Sequence, residues 1–71
     1  MISYTRHARD RMKQRGITED EVKYCLKNYD ISYTDRVGNS IYKADIPRGI
    51  RIKVVVKAHS IDPLVIITVA D

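Results

Sequence analysis

The chain has 71 residues, of which 31% are charged, and a formal net charge of +4. This length allows one folded domain, residues 1–71, and excludes a large enzyme with a deep pocket. The basic excess favours an acidic partner, such as RNA or an acidic protein. A single cysteine, no signal peptide and no apolar run long enough to span a bilayer predict a cytoplasmic protein without a membrane partner.

The first predicted helix begins at Thr5 and ends at Gly16. Threonine is a suitable N-cap, and glycine suits the left-handed position that follows a helix. Residues 1–16 contain five basic residues and one acid, so this segment accounts for the whole net charge of the chain. It is therefore the first candidate for a functional surface.

Helical spacing sorts the side chains of this segment into three groups. Tyr4, Ala8 and Met12 fall on one face and are predicted to contact the core. A polar row lies at the edge of that face: His7, Arg11 and Arg15. The basic residues predicted to point to water are Arg6, Arg9 and Lys13.

The second predicted helix begins with a capping box, in which Thr18 is the cap and Glu21 follows three residues later. Its apolar residues recur with helical spacing and predict a stripe that faces the core. That stripe consists of Val22, Cys25, Leu26 and Tyr29. Cys25 is accordingly predicted to be a core residue and not a reactive thiol.

From Ile31 onward the apolar pattern alternates with a period of two, which predicts strands. Gly38-Asn39 and Pro47-Arg48-Gly49 are typical of hairpin turns. The predicted fold is α+β, with two N-terminal helices packed on a four-stranded antiparallel sheet. The predicted strands are Ile31–Arg36, Ile41–Ile46, Ile50–Ala58 and Leu64–Ala70.

The turns also predict which residues face the helices. A three-residue loop at 47–49 pairs Ala44 with Ile52, and a two-residue turn at 38–39 pairs Tyr33 with Ala44. The helix-facing side is then predicted to hold Ile31, Tyr33, Tyr42, Ala44, Ile46, Ile50, Ile52, Val54, Val56, Val65, Ile67 and Val69. The other side is predicted to hold Thr34, Arg36, Ile41, Lys43, Asp45, Arg51, Lys53, Val55, Lys57, Leu64 and Ile66.

Residues 7–18 resemble the opening signature of a small prokaryotic family, domain of unknown function 4258. Eight of twelve positions match in order: His7-Ala8-x-x-Arg11-Met12-x-x-Arg15-Gly16-Ile17-Thr18. The α-α-β-β-β-β layout is similar to that of RelE-like ribonuclease toxins. This resemblance implies metal-independent RNA cleavage, or the pairing of a toxin with an antitoxin-like protein.

Metal-independent RNA cleavage needs groups that transfer protons and a cation that holds the phosphate. His7 or His59 could transfer protons, while Arg11, Arg15 or Arg51 could clamp phosphate. The predicted catalytic set is His7, Arg11 and Arg51. The predicted nucleic-acid-binding residues are Arg6, Arg9, Lys13, Arg15, Lys43 and Lys53. The two histidines and one cysteine have no metal-ligand spacing, so neither a metal nor a cofactor is expected.

Three alternatives stay open at this point. The row of His7, Arg11 and Arg15 could lock the helix to the sheet instead of acting in catalysis. The domain could be a non-catalytic interaction module that pairs with a second copy or another protein through the open face of its sheet. The first helix could also bind nucleic acid without cleaving it.

Overall fold

Two helices cover one face of a five-stranded sheet in the computed structural model, which describes residues 1–71. The elements are β1 Ile2–Tyr4, α1 Arg6–Arg15, α2 Glu19–Asn28, β2 Ile31–Thr34, β3 Ser40–Asp45, β4 Arg51–Val56 and β5 Leu64–Ala70. The strand order is β1-β5-β4-β3-β2, with α1 against β5 and α2 against β3 and β4. The predicted α+β class with two N-terminal helices is confirmed, but the sheet is mixed and has one more strand than predicted.

The additional strand, β1, pairs in parallel with β5, and Ile2 lies opposite Leu64. Thr5 extends this contact, because its N–H donates to the Ile66 carbonyl (3.1 Å) and its hydroxyl donates to the Ile67 carbonyl (2.9 Å). The prediction that the sheet is wholly antiparallel is therefore wrong. A strand of three residues is too short to show an alternating pattern, and its backbone partners lie at the other end of the chain.

Both helix starts are confirmed. The Thr5 hydroxyl accepts a hydrogen bond from the Ala8 N–H (3.1 Å), and Thr18 and Glu21 form the reciprocal bonds of a capping box. Gly16 has a φ of +67°, in the left-handed region that glycine adopts without strain. The two helices can therefore follow one another closely and lie on the same face of the sheet.

The β3–β4 register is confirmed, with Ala44 opposite Ile52, but the β2–β3 register is wrong. Tyr33 lies opposite Ile41, not Ala44, because β2 ends at Thr34 and a five-residue loop follows. Asp35 holds this loop, since its Oδ1 accepts from the N–H groups of Val37 (3.0 Å) and Asn39 (2.9 Å). The register shift is odd, so Ile31 and Tyr33 move to the face without helices.

A bulge in β5 likewise reverses the side of the sheet that residues 64–67 face. Val55 lies opposite Thr68 and Val56 opposite Ile66, which leaves Ile67 as an extra residue. Leu64 and Ile66 therefore lie on the helix side, where Ile66 is fully buried, and Val65 and Ile67 lie on the other side. The predictions for these four residues are reversed.

The core lies between the helices and the sheet and is built from side chains of both layers. The sheet face away from the helices is called the open face. Strand register and the bulge in β5 place on it Ile31, Tyr33, Ile41, Lys43, Asp45, Arg51, Lys53, Val55, Val65, Ile67, Thr68 and Ala70. The two helices are too short and too polar for either to cross a membrane.

The bulge predicts that the same substitution at two neighbouring positions lowers the free energy of unfolding by different amounts. Ile66→Val removes a methylene from the closed core and should lower the free energy of unfolding by about 1 kcal/mol. Ile67→Val changes a half-buried side chain of the open face and should cost less than half as much. Urea denaturation followed by circular dichroism measures both. An equal loss of unfolding free energy at both positions, or a larger loss at Ile67, would indicate the register expected without a bulge.

Candidate functional site

Lys43 and Lys53 form the most distinctive pair of the open face. They lie directly opposite each other on β3 and β4, where the Cβ atoms of such residues are roughly 5 Å apart. Both side chains are half-buried, and neither forms an ion pair. Like charges in this position destabilise a sheet. An anion placed between them would relieve that repulsion, so the pair is a candidate phosphate contact.

A shallow, open cavity of about 230 Å³ adjoins the two lysines. Its other walls come from Arg51, Ile52 and Asp71. The Asp71 carboxylate lies 3.4 Å from the Arg15 guanidinium, at the end of α1. This pairing offsets part of the charge of Asp71, so the cavity keeps a basic character despite its one acidic residue.

Arg51 is held by two carboxylates. Its guanidinium donates two hydrogen bonds to Asp30 (2.6 and 3.1 Å) and one to Asp45 (3.1 Å). The hydrogen bond from Arg51 is the main cause that lowers the pKa of Asp30, and the same contacts raise the pKa of Arg51. These hydrogen bonds join Asp30, just before β2, and Asp45, at the end of β3, to the start of β4. To clamp phosphate, Arg51 would have to exchange these partners.

The three residues of the polar row of α1 differ in their exposure and in their bonding partners. His7 is exposed and forms no hydrogen bond or ion pair, whereas Arg15 pairs with Asp71. Arg11 is half-buried, and its Nε is buried without a hydrogen-bond partner. His7 and Arg11 are one helical turn apart, but α1 covers the face opposite to Arg51. The structure therefore does not bring the three predicted catalytic residues together.

The other predicted basic residues of α1 differ in how they are bound. Arg9 pairs with Glu19 (2.7 Å) and lies over the Tyr4 ring, 4.5 Å from its centroid. Arg6 and Lys13 are exposed and have no ion pair. All of them lie on the helix side of the molecule. They form a surface separate from that of Lys43 and Lys53.

Tyr33 is the aromatic residue of the open face that the sequence analysis missed, because the predicted register placed it in the core. The residue is 46% exposed, and the ammonium of Lys43 lies 5.5 Å from the centroid of its ring. The signal that could have revealed it is the aspartate at position 35. An Asp at the first position of a loop commonly binds the backbone N–H two residues later, which lengthens the turn.

Cys25 occupies the core, as predicted. Its Sγ donates to the Tyr42 carbonyl (3.6 Å), and burial raises the pKa of the thiol to about 11. The thiol is therefore protonated near neutral pH and is a poor nucleophile. No group of three or more His, Cys, Asp or Glu side chains is arranged to hold a metal ion.

The comparisons with known proteins identify one family. The family model described as "Domain of unknown function (DUF4258)" matches residues 4–71, which is nearly the whole chain. This match confirms the resemblance seen in residues 7–18. No curated protein and no solved structure matches the chain, so the likeness to RelE-like toxins stays a prediction.

The Arg51 contacts predict a pH-dependent contribution to stability. A carboxyl group whose folded pKa is lowered stabilises the fold above its ordinary pKa, and this contribution is lost as the pH falls through the folded pKa. The ordinary value for Asp30 is 3.8. Arg51→Gln should therefore destabilise the protein near pH 7, and the difference from wild type should shrink below about pH 4.

Urea midpoints measured from about pH 7 to about pH 3 test this expectation. Lys57→Gln is the matched control, because Lys57 is exposed, has no ion pair and loses the same charge. Its difference from wild type should stay nearly constant over that range. A constant difference for Arg51→Gln as well would show that its contacts with Asp30 do not hold in solution.

Proposed function

We propose that this chain, which belongs to the family of domain of unknown function DUF4258, acts on RNA and binds it through the open face of its sheet. The observation that carries the proposal is the cross-strand pair of Lys43 and Lys53, which has no acidic partner. Phosphate groups supply the missing negative charge. They would turn a destabilising contact between like charges into two charge-assisted hydrogen bonds.

The arginines that form ion pairs within the chain differ from these two lysines. Arg9, Arg15, Arg48 and Arg51 each form an ion pair with a carboxylate of the same chain. These carboxylates offset much of the charge of the four arginines. The open-face lysines are free of such pairs, so they can contribute to binding without breaking one.

The shape of the open face also favours a polymer over a small molecule. The adjoining cavity is shallow, and its lining is mostly charged. Small-molecule sites are usually concave and mostly apolar, and they bury most of the ligand. A chain of phosphates can instead lie across several strands and use contacts that are individually weak.

The lysine pair can be tested against a control of equal charge. Lys43→Gln/Lys53→Gln should weaken binding to a short RNA, and Arg6→Gln/Lys13→Gln on α1 should have little effect. The plot of log K against log[salt] should become shallower by about 1.4 for the open-face double variant, since each phosphate contact on a single strand contributes about 0.7. Fluorescence anisotropy at several salt concentrations measures both quantities.

Two results would contradict the proposal. Unchanged affinity of Lys43→Gln/Lys53→Gln would remove the open face from the binding site. Equal losses in the two double variants would show that only the net charge attracts RNA. Sedimentation without RNA gives a separate readout of the alternative in which a second copy of the chain occupies this face.

RNA cleavage at the other face is a second candidate function, and one observation favours it. The Nε of Arg11 is buried without a partner, one helical turn from the exposed His7. An unpaired donor of a charged group is costly to bury, and an anion could accept its hydrogen bond. His7 could then transfer a proton to or from the RNA.

This candidate predicts RNA cleavage that persists in EDTA. His7→Ala should lower the rate by about 100-fold, a typical contribution of one proton-transfer group. His59→Ala is the control, because both histidines are exposed and only His7 lies beside Arg11. Denaturing gels with time points measure the rate. Intact RNA at every concentration of folded protein would exclude cleavage and leave the binding proposal in place.

A further inference from the structure

Tyr33 is the aromatic side chain of the open face. It lies on β2, one of the two edge strands of the sheet, opposite Ile41. The other tyrosines lie elsewhere: Tyr4 and Tyr42 face the core, Tyr24 is on α2, and Tyr29 follows α2 and packs against Tyr42. The ring of Tyr33 thus has a large exposed area on the same surface as the proposed RNA site.

The ring and the lysine pair form one continuous group. The Lys43 ammonium lies 5.5 Å from the ring centroid, a distance typical of a cation–π contact. Lys53 lies opposite Lys43 on the next strand. An aromatic ring and two unpaired cations therefore follow one another across β2, β3 and β4.

The surface beside the ring is apolar and closely packed. Ile41, opposite Tyr33, and Val55, opposite Ile41, are each 8% exposed although no helix covers them. These side chains belong to the open face and not to the core between the layers. They form an apolar floor that continues from the edge of the ring towards β5.

This arrangement matches the two parts of a nucleotide. A base can stack on the tyrosine ring and the apolar floor, and its phosphate can contact the lysines. In an RNA duplex the faces of the bases are covered by their neighbours, and proteins recognise the duplex mainly through its shape, its phosphates and its 2′-hydroxyls. A ring on a sheet surface can reach only a base that is unstacked.

We propose that Tyr33 is a stacking platform for an unpaired base and that the open face selects single-stranded over double-stranded RNA. This inference rests on the proposed binding of RNA by the open face. It adds a class of substrate, single strands, and a residue, Tyr33, that the lysine pair alone does not predict. Lysines by themselves would favour the strand arrangement with the higher charge density, which is the duplex.

Substitutions at position 33 separate stacking from packing. Tyr33→Phe keeps the ring, and Tyr33→Thr removes it while keeping a side chain suited to strands. Tyr33→Phe should bind a short single-stranded RNA as wild type does, and Tyr33→Thr should bind it about 10-fold more weakly. Neither variant should change the weaker binding of a duplex of the same sequence. Fluorescence anisotropy measures these affinities, and circular dichroism verifies that both variants are folded.

A spectroscopic signature tests the contact directly. The chain contains no tryptophan, so Tyr33→Trp introduces one fluorophore that can be excited apart from the tyrosines. Single-stranded RNA should quench its emission, because a stacked base lies against the indole. Tyr24→Trp, on the helix α2 of the opposite face, is the matched control and should not be quenched.

The outcomes distinguish this inference from the function on which it rests. Equal binding of single strands and duplexes, with Tyr33→Thr as tight as wild type, would overturn the stacking platform but leave the lysine contact intact. No binding of either RNA would overturn both. A change in sedimentation of the RNA-free protein on Tyr33→Thr would assign the ring to a protein interface and overturn the inference as well.

Discussion

The arrangement of the molecule follows from the fact that its helices can cover only one face of the sheet. Two ten-residue helices, each about 15 Å long, cover it, with α1 on β5 and α2 on β3 and β4. The other face has no covering layer, so the side chains that point there define the accessible surface of the sheet. Each side chain's face is fixed by strand register, and one extra residue in a loop or a strand reverses it.

The parts of the fold that depend on local signals could be predicted from the sequence. Thr5, Gly16 and Thr18 define the helix ends through hydrogen bonds within four residues, and the Pro47-Arg48-Gly49 loop determines the β3–β4 register. Strand β1 and the bulge at Ile67 could not be predicted, because both arise from pairing with distant segments. Tyr33 was placed in the core for a different reason, because the local signal of Asp35 for a longer loop was not used.

The candidate site shows how arginine and lysine are used differently in this chain. A guanidinium donates several hydrogen bonds in fixed directions, so an arginine can join segments, as Arg48 does between Glu21 and the Gly16 carbonyl. A lysine ammonium is a compact charge on a flexible stem and forms fewer fixed contacts. The basic composition predicted a nucleic-acid partner. Only the structure shows that Arg51 is paired with Asp30 and Asp45, whereas Lys43 and Lys53 form no ion pair.

The positions of the charged groups also constrain the relation between binding and cleavage. RNA bound to the open face as proposed would contact Lys43 and Lys53, whereas His7 and Arg11 lie on the helix that covers the opposite face. Neither histidine is on a strand of the open face: His7 is on α1, and His59 lies in the loop after β4. A proton-transfer group must come within hydrogen-bond distance of the reacting oxygen. Binding at the lysine pair and cleavage beside His7 are therefore alternatives for a given RNA segment, and a domain that does both would use two separate surfaces.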